Sequence, residues 1–277
     1  MRAPFLSGPV LRLIVAAILV VNGLFPALWI LLTSLKTEAE LTDKPITWLP
    51  ARPMLENYVT AFTDQPLHLF LFNSLMVALL STALTLFVSV LAAYALARLN
   101  LRRRGLILSA IIAVSTFPLV TLLVPLFEVM RALSLLNTWA ALILPYTVLS
   151  LPVCTLMLVS FFEGIPRDLE NAAMIDGCSR MGALFRVVVP LSAPGVFTAG
   201  ILAFVNAWDE FLLALSFNAN PALRTLPVGI QLYQGEFAFP WPVISAALVV
   251  GIVPVAVLIV LFQERVVSGL ATGGVKG

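Results

Sequence analysis

Charged side chains are scarce in this chain. Aspartate, glutamate, lysine and arginine together make up only 11% of its 277 residues, whereas 61% of the residues are hydrophobic. A soluble domain cannot bury that much apolar surface, so the composition indicates a polytopic membrane protein. The formal net charge of +2 says little about partners, because the difference in charge between loops is more informative than the total.

Histidine and cysteine are rare in this chain, and a phosphate-binding loop motif is missing. The single histidine, His68, excludes a multi-histidine metal site. The two cysteines cannot meet in the predicted topology, because Cys154 lies in an apolar run and Cys178 in a charged loop, so no disulfide framework is expected. The chain has no G-x-x-x-x-G-K-[ST] motif. We therefore expect no cofactor in this chain, and any ATP with its magnesium to be bound by another one.

Six apolar stretches are long enough to cross about 30 Å of hydrocarbon as helices. Their approximate bounds are 11–35, 69–97, 106–126, 139–161, 195–217 and 241–262. The first stretch is too long for the core of a signal peptide and lacks a small-x-small cleavage site before Lys36. The sequence thus predicts an all-α fold in which residues 1–277 form a single transmembrane domain of six spans.

Basic residues are distributed unevenly between the two sides of this topology. If the N-terminus lies inside, eleven are on the inner side, namely Arg2, Arg12, Arg98, Arg102, Arg103, Arg104, Arg167, Arg180, Arg186, Arg265 and Lys276. Five are on the outer side, namely Lys36, Lys44, Arg52, Arg131 and Arg224. The positive-inside rule therefore places both termini and the loop between the fourth and fifth spans in the cytoplasm.

That loop, residues 162–194, is the one long segment that is neither an apolar span nor a short connector. Pro166 suits the first turn of a helix, Gly177 suits its end, and Ser179 can cap a second helix. The first helix would place four residues on one face, namely Leu169, Ala172, Ala173 and Asp176. The two adjacent alanines among them would allow a second backbone to come close. An amphipathic connector lying on the membrane surface is the alternative interpretation of the same periodicity. The prolines at positions 190 and 194 are expected to stop the second helix.

Two adjacent acids, Asp209 and Glu210, fall within the fifth span. A carboxylate facing lipid is costly, so both must face water, a partner helix or the membrane interface. They point about 100° apart on a helix and cannot both line one narrow lumen. Either they border a solvated pathway between two subunits, or they lie near the outer interface in a structural role. A proton relay would need further ionisable partners and leaves the charged loop unexplained.

Prolines recur within the predicted spans, at positions 26, 118, 125, 145, 152 and 254. In a transporter they allow kinks around a cavity. Membrane helices are in any case richer in proline than soluble ones, and the sequence does not decide between these two interpretations.

The charged loop resembles the EAA loop of ABC importer permeases. The resemblance rests on the run Glu170–Gly177 (ENAAMIDG), on Phe185, and on the run Val189–Gly195 (VPLSAPG). Asn171 stands where the glutamate of the EAA tripeptide is usual, although Glu170 precedes it. Further runs are similar to carbohydrate-uptake permeases, in particular the shorter six-span subunit of maltose and trehalose importers: LFNSL at 71–75, AAYALAR at 92–98, AWDEF at 207–211, LPVG at 226–229 and GLATGGVKG at 269–277.

This resemblance implies the type I permease fold in a bacterial or archaeal inner membrane, and a set of partners. These are a second, different permease, a pair of cytoplasmic ATPases, an extracytoplasmic solute-binding protein and membrane lipid, with no nucleic acid. It implies that the loop couples ATPase closure to alternating access, through Glu170, Ala172, Ala173, Asp176 and Gly177. It also implies that the C-terminal tail, residues 268–277, reaches the ATPases.

We expect the solute to be a carbohydrate and its path to be bordered by polar and aromatic groups, because amides and carboxylates suit hydroxyls and rings suit sugars. The candidates are Tyr146, Asn206, Trp208, Asp209 and Glu210. Another solute, such as a glycerol phosphodiester or an amino acid, remains an alternative. A membrane-embedded enzyme using the two adjacent acids is a more distant one, since no second pair of intramembrane polar groups accompanies them and adjacent side chains diverge on a helix.

Overall fold

The structure, a computed structural model, describes residues 9–235 and 239–274, and the side chains of residues 11–235 and 239–263. Every regular element in these ranges is helical, which confirms the all-α prediction. The helices are α1 Pro9–Ser34, α2 Glu38–Thr42, α3 Glu56–Asp64, α4 Leu67–Arg98, α5 Arg104–Ser115, α6 Leu119–Ala132, α7 Ala140–Glu163, α8 Arg167–Ile175, α9 Arg180–Ala183, α10 Val189–Leu191, α11 Ala193–Asp209, α12 Leu212–Phe217, α13 Leu226–Gln231 and α14 Trp241–Gly274.

Four of these helices, α1, α4, α7 and α14, are long and apolar enough to cross a membrane without interruption. Two bent pairs, α5 with α6 and the segment Arg180–Leu191 with α11, raise the number to six if each pair counts as one span. The first, second, fourth and sixth predicted spans thus correspond to single helices. The third and fifth spans are interrupted, which the sequence analysis did not predict.

The third span breaks at Pro118, where α5 and α6 meet at an angle of 96°. Pro118 has an extended backbone, with φ −64° and ψ 132°, and α6 begins at the next residue. A proline disfavours the helical conformation of the residue before it, here Phe117, and cannot donate the hydrogen bond that would continue the helix. The prediction of one continuous helix over residues 106–126 was therefore wrong.

The fifth span is interrupted at Glu210, whose backbone is extended between α11 and α12. On the other side of α11, the second loop helix ends between the two prolines that were expected to stop it, Pro190 and Pro194. A π-helical turn, Leu184–Val188, precedes Pro190, and the helix continues through that proline to Leu191. The wider turn accommodates a residue that lacks an N–H, so the chain bends only at Ser192, by 83°.

The first of two compact units comprises residues 1–67 and 230–253. Within it the Lys36 side chain is 1% exposed and anchors the segment that follows α1. Its ammonium group donates a hydrogen bond to the Thr47 carbonyl and lies 5.2 Å from the centre of the Trp29 ring. The buried cation is thus stabilised by a carbonyl dipole and a π face.

The second unit comprises residues 68–229 and 254–277, and in it α7 and α11 pack along each other. The helices approach closely where Gly195 meets Phe161, since a Cβ atom on that glycine would lie 2.4 Å from the ring. Around this contact lies a core of buried side chains from α4, α7, α11 and the π-helical turn: Tyr94, Cys154, Leu158, Phe162, Leu184, Val188, Ala199 and Ala203. The loop predicted to be cytoplasmic is therefore packed against the spans rather than tethered loosely to them.

The last helix is longer than predicted, because α14 continues to Gly274 instead of ending near Phe262. The tail that we expected to reach a partner, residues 268–277, is thus helical over its first part. Residues 275–277 lie outside the described residues, as do the side chains from residue 264 onward.

Candidate functional site

The charged loop forms two short helices joined by a glycine turn, as predicted. Pro166 immediately precedes α8, and Gly177 follows it with φ +91°, a backbone conformation that side chains rarely adopt. The amides of Gly177 and Cys178 donate to the carbonyls of Met174 and Ala173, at 3.1 and 3.0 Å. These bonds close the C-terminal end of α8. The Ser179 hydroxyl caps α9 by accepting from the Gly182 amide at 3.1 Å.

Most of the predicted coupling residues lie on the outer surface of this loop. Ala172, Asp176 and Gly177 are exposed, and Ala173 is half-buried. Large apolar side chains accompany them, with Leu169 46% and Ile175 85% exposed. The exposed face of α8 is thus mixed, with small, acidic and apolar residues side by side.

Glu170 is the exception, because it is the buried residue of α8. Its carboxylate accepts a hydrogen bond from the Tyr94 hydroxyl and forms an ion pair with Arg98, whose Nε lies 3.1 Å away. The Glu170 side chain is 8% exposed and the Arg98 side chain 5%. A group so enclosed is not available to a partner protein, so Glu170 does not belong to the surface that a partner could contact: it bonds inward, to α4.

Further hydrogen bonds tie the end of α4 to α8 and to the connector that precedes it. The Arg98 guanidinium donates to the Ile165 carbonyl at 2.9 Å, and Arg167 donates to the Ala97 carbonyl at 3.3 Å. We call Tyr94, Arg98 and Glu170 the α4–α8 anchor. The sequence analysis assigned no role to Tyr94 or Arg98, although a tyrosine and an arginine four residues apart at the end of an apolar run share one helix face.

A cavity of about 240 Å³ with a partly polar lining lies within the second unit. It is lined by Phe117, Leu119, Tyr146, Leu149, Ser150, Asn206, Ala207 and Glu210. Both interrupted spans border it, the third at Pro118 and the fifth at Glu210. Irregular backbone at membrane depth is tolerated where it lines a cavity, which fits this position.

Three of the five residues predicted for the solute path, Tyr146, Asn206 and Glu210, line this cavity. Trp208 does not, since it is 4% exposed and stacks on Phe204 with ring centres 5.7 Å apart. Asp209 is exposed and also lies outside the lining. The two adjacent acids therefore point to different surroundings, although not through the angle between neighbours on a helix, because α11 ends at Asp209 and Glu210 is extended.

Glu210 organises the break in the fifth span. Its carboxylate accepts from the Tyr146 hydroxyl at 2.5 Å and from the amides of Leu213 and Ala214 at 2.8 and 3.1 Å. The two amides belong to the first turn of α12, where the helix itself offers no carbonyl that could accept their hydrogen bonds. Glu210 thus caps α12 and fixes it to α7. Among the described residues no cluster of three or more histidine, cysteine or acidic side chains could hold a metal ion.

The sequence matches a family profile described as the inner membrane component of binding-protein-dependent transport systems, over residues 86–271. The chain belongs to this family. The resemblance found in the EAA loop is thereby confirmed, and the protein is an ABC importer permease that lies in the inner membrane as a multi-pass protein.

Relatives of this permease are similar along almost the whole chain. The sulfoquinovosyl glycerol transport system permease of Agrobacterium fabrum is 85% identical over 273 residues, which cover 99% of this chain and 96% of the relative. The trehalose/maltose transport system permease of Thermococcus litoralis is 38% identical over 97% of both chains. These relatives are named as permeases, so the permease is not an enzyme and the membrane-enzyme alternative is set aside.

The fold is that of a solved importer. The crystal structure of a bacterial ABC transporter involved in the import of the acidic polysaccharide alginate matches with a TM-score of 0.80. The match covers 92% of this chain and 95% of the other, at 20% sequence identity. It confirms the predicted type I permease fold.

Proposed function

We propose that this permease imports a glycoside of the sulfoquinovosyl glycerol type, a sulfonated sugar joined to glycerol. The observation that carries the proposal is its 85% identity, over 99% of its length, to a permease named for that solute. The cavity supports it chemically, because Tyr146, Ser150 and Asn206 offer an aromatic face, a hydroxyl and an amide to a polyhydroxylated solute.

The permease acts, in this proposal, as one half of a membrane pathway. A second, different permease forms the other half, a solute-binding protein delivers the glycoside from outside, and a pair of cytoplasmic ATPases binds ATP and magnesium. Both termini and the loop 162–194 face the cytoplasm, as the distribution of basic residues favours. Asp209 and Trp208 then take part in the pathway indirectly, through the conformation of α11.

The loop 162–194 is proposed to couple the ATPases to the pathway. Ala172 and Ala173 allow a partner backbone to come close, Asp176 offers a charge-assisted bond, and Gly177 sets the direction of the second helix. The exposed apolar surface of Leu169 and Ile175 suits a protein partner better than water. Glu170 contributes from inside the subunit, by fixing α8 to α4.

These contacts support a mechanism for alternating access. When the ATPases close, they displace α8 as a rigid body, and the α4–α8 anchor carries the displacement into α4 because its groups are buried and paired between the two helices. The same motion reaches α11 through the continuous helix Arg180–Leu191. The cavity between the two interrupted spans then changes its opening from one side of the membrane to the other.

The proposal is tested by reconstituting the permease with its partner permease, ATPases and binding protein in proteoliposomes. Uptake of radiolabelled sulfoquinovosyl glycerol that depends on both ATP and the binding protein is the expected result. Trehalose, maltose, a glycerol phosphodiester and an amino acid serve as comparison solutes. Preferred uptake of any one of these four would identify that solute class as the substrate and contradict the proposal.

A further inference from the structure

A second cavity, of about 320 Å³, lies within the first unit, where α1 ends and α14 begins. We call it the α1–α14 pocket. Its lining contains two hydroxyl side chains, Thr33 and Ser245, and is otherwise apolar. The apolar side chains are Trp29, Ile30, Leu41, Trp241 and Leu248. None of the described residues that line the pocket is charged, so it suits an occupant that is largely hydrocarbon.

The pocket lies at the level of the membrane interface. The first span ends at Ser34 and the last begins at Trp241, and tryptophan is the residue type that membrane proteins place at this level. The Trp29 ring forms a fixed wall, because it packs edge-on against Trp48 with ring centres 5.6 Å apart and lies 5.2 Å from the Lys36 ammonium. The pocket is therefore preformed where the glycerol esters of a lipid bilayer meet its hydrocarbon.

One hydroxyl of the pocket is enclosed without a partner. Thr33 is 9% exposed, and its Oγ1 makes no hydrogen bond to any of the described residues. The neighbouring Ser34 hydroxyl, by contrast, donates to the Leu31 carbonyl at 2.7 Å and lies 2.8 Å from the Tyr58 hydroxyl. Enclosed hydroxyls are normally satisfied, so Thr33 requires an acceptor from the occupant of the pocket. A water molecule takes up only about 30 Å³, which leaves most of this apolar space to another group.

The chemistry of the lining decides between possible occupants. A phosphate would find no cation there, since the nearby Lys36 is 1% exposed and already donates to the Thr47 carbonyl. A sugar would need more polar partners than two hydroxyls. An α-helix is about 10–12 Å wide with its side chains and could insert only single side chains. A hydrocarbon chain that carries a neutral acceptor at the interface satisfies both the apolar walls and Thr33.

We infer that the α1–α14 pocket binds an acyl chain of a phospholipid, with the ester carbonyl accepting a hydrogen bond from Thr33. The inference rests on the proposed function only for the leaflet, which is the outer one in the proposed orientation. Along its most apolar stretch α1 buries none of its residues against the rest of the described subunit. The bound lipid therefore adds a contact between the end of α1 and α14.

A variant that fills the pocket tests whether it holds a lipid. Leu248→Trp places a large side chain in the lining, and Ile252→Trp, one turn further along α14 and 43% exposed, is the matched control. Each permease is purified in detergent with its partner chains, and the phospholipids retained by the complex are counted by native mass spectrometry. We expect one lipid fewer in Leu248→Trp than in the wild type, and no change in Ile252→Trp.

A change in the lipid tests the hydrogen bond to Thr33. The delipidated complex is titrated with a diester phosphatidylglycerol and with its dialkyl ether analogue, which lacks the carbonyl. We expect the wild type to bind the diester about fivefold more tightly, as one neutral hydrogen bond provides. Thr33→Val, which keeps the shape but not the hydroxyl, should bind both lipids equally, whereas Thr33→Ser should keep the preference. Phosphatidylethanolamine should bind like phosphatidylglycerol, because the lining is uncharged.

The opposite results would overturn the lipid site. These are equal lipid counts in Leu248→Trp and Ile252→Trp, a wild type without a preference for the ester, a preference that survives in Thr33→Val, or strong dependence on the headgroup. Loss of the partner permease from Leu248→Trp with an unchanged lipid count would assign the pocket to that subunit instead. If Leu248→Trp does not assemble, the comparison of Thr33→Val with Thr33→Ser still decides. None of these measurements involves transport, so they are independent of whether the permease imports the sulfonated glycoside.

Discussion

The hydroxyl of Tyr94, near the end of α4, donates a hydrogen bond to the carboxylate of Glu170 in the middle of α8. Arg98, one turn after Tyr94, forms an ion pair with the same carboxylate. These contacts join a membrane-spanning helix to the loop helix that we propose receives the motion of the ATPases. The proposed coupling thus involves the buried side of α8 as well as its exposed side.

Replacing Glu170 should destabilise the permease strongly. Glu170→Ala leaves the Arg98 guanidinium buried without its counter-charge, a change that typically costs about 3–5 kcal/mol. We expect a large decrease in the thermal unfolding temperature of the detergent-solubilised complex, measured by tryptophan fluorescence. Glu170→Gln, which keeps an acceptor for Tyr94, should have a smaller effect.

A double variant provides the control for this prediction. Arg98→Leu together with Glu170→Leu removes both charges, so neither is left buried alone, and it should be more stable than either single variant. Additive losses in the double variant would show that the two side chains do not act as a pair and would contradict the anchor.

Much of this arrangement could be predicted from the sequence, and the reasons for the exceptions are physical. Span positions follow from long apolar runs, and the glycine turn at Gly177 follows from local backbone preferences. The inward direction of Glu170 could not be predicted, because its partners Tyr94 and Arg98 are 76 and 72 positions away in the chain. Pro118 and Pro190 look alike in the sequence, yet only Pro118 breaks its helix, since a π-helical turn accommodates Pro190.

Gly177 should tolerate only residues that accept a positive φ. A Cβ atom at this position would meet no atom within 4 Å, so the cost of a substitution comes from the backbone alone. Gly177→Ala should cost roughly 1–2 kcal/mol, Gly177→Asn less, and Gly177→Val more. ATP-dependent uptake should fall in the same order, with Gly177→Pro the most impaired. Equal uptake by the asparagine and valine variants would show that the turn does not matter for coupling.

Tyr146 should stabilise the break in the fifth span. Tyr146→Phe removes the hydroxyl that donates to Glu210 and should cost about 1–3 kcal/mol, because a half-buried carboxylate loses one of its donors. We expect a lower unfolding temperature and slower uptake. Glu210→Gln keeps an oxygen for the α12 amides and should be milder than Glu210→Ala. The prediction fails if Tyr146→Phe unfolds and transports like the wild type.

Tyr233, outside the spans, should make stability sensitive to alkaline pH. Burial, together with the nearby charge of Asp64, raises the pKa of Tyr233 to about 12, and its hydroxyl donates to the Ala61 carbonyl. The unfolded chain would lose this proton near its ordinary pKa of about 10. Since the folded state binds the proton more tightly, the contribution of Tyr233 is complete below pH of about 10 and is lost as the pH rises toward 12.

The check is the unfolding temperature of the permease at pH values on either side of this range. The wild type should lose more stability on going to alkaline pH than Tyr233→Phe, which has no proton to release. Parallel pH profiles for the two proteins would contradict the assignment of this titration to Tyr233.

The most direct test of the coupling segment places a bulky side chain on the exposed face of α8. Ala173 is half-buried, so Ala172 is the better position, since Ala172→Trp adds a large side chain without disturbing the core of the subunit. Ala132→Trp, at an exposed alanine at the end of α6, is the matched control. Each variant is co-purified with its ATPases, and ATP hydrolysis stimulated by the loaded binding protein is measured. We predict normal membrane insertion for both variants, and loss of ATPase association or of stimulated hydrolysis for Ala172→Trp alone. Normal assembly and normal stimulated hydrolysis in Ala172→Trp would contradict the assignment of residues 162–194 as the coupling segment.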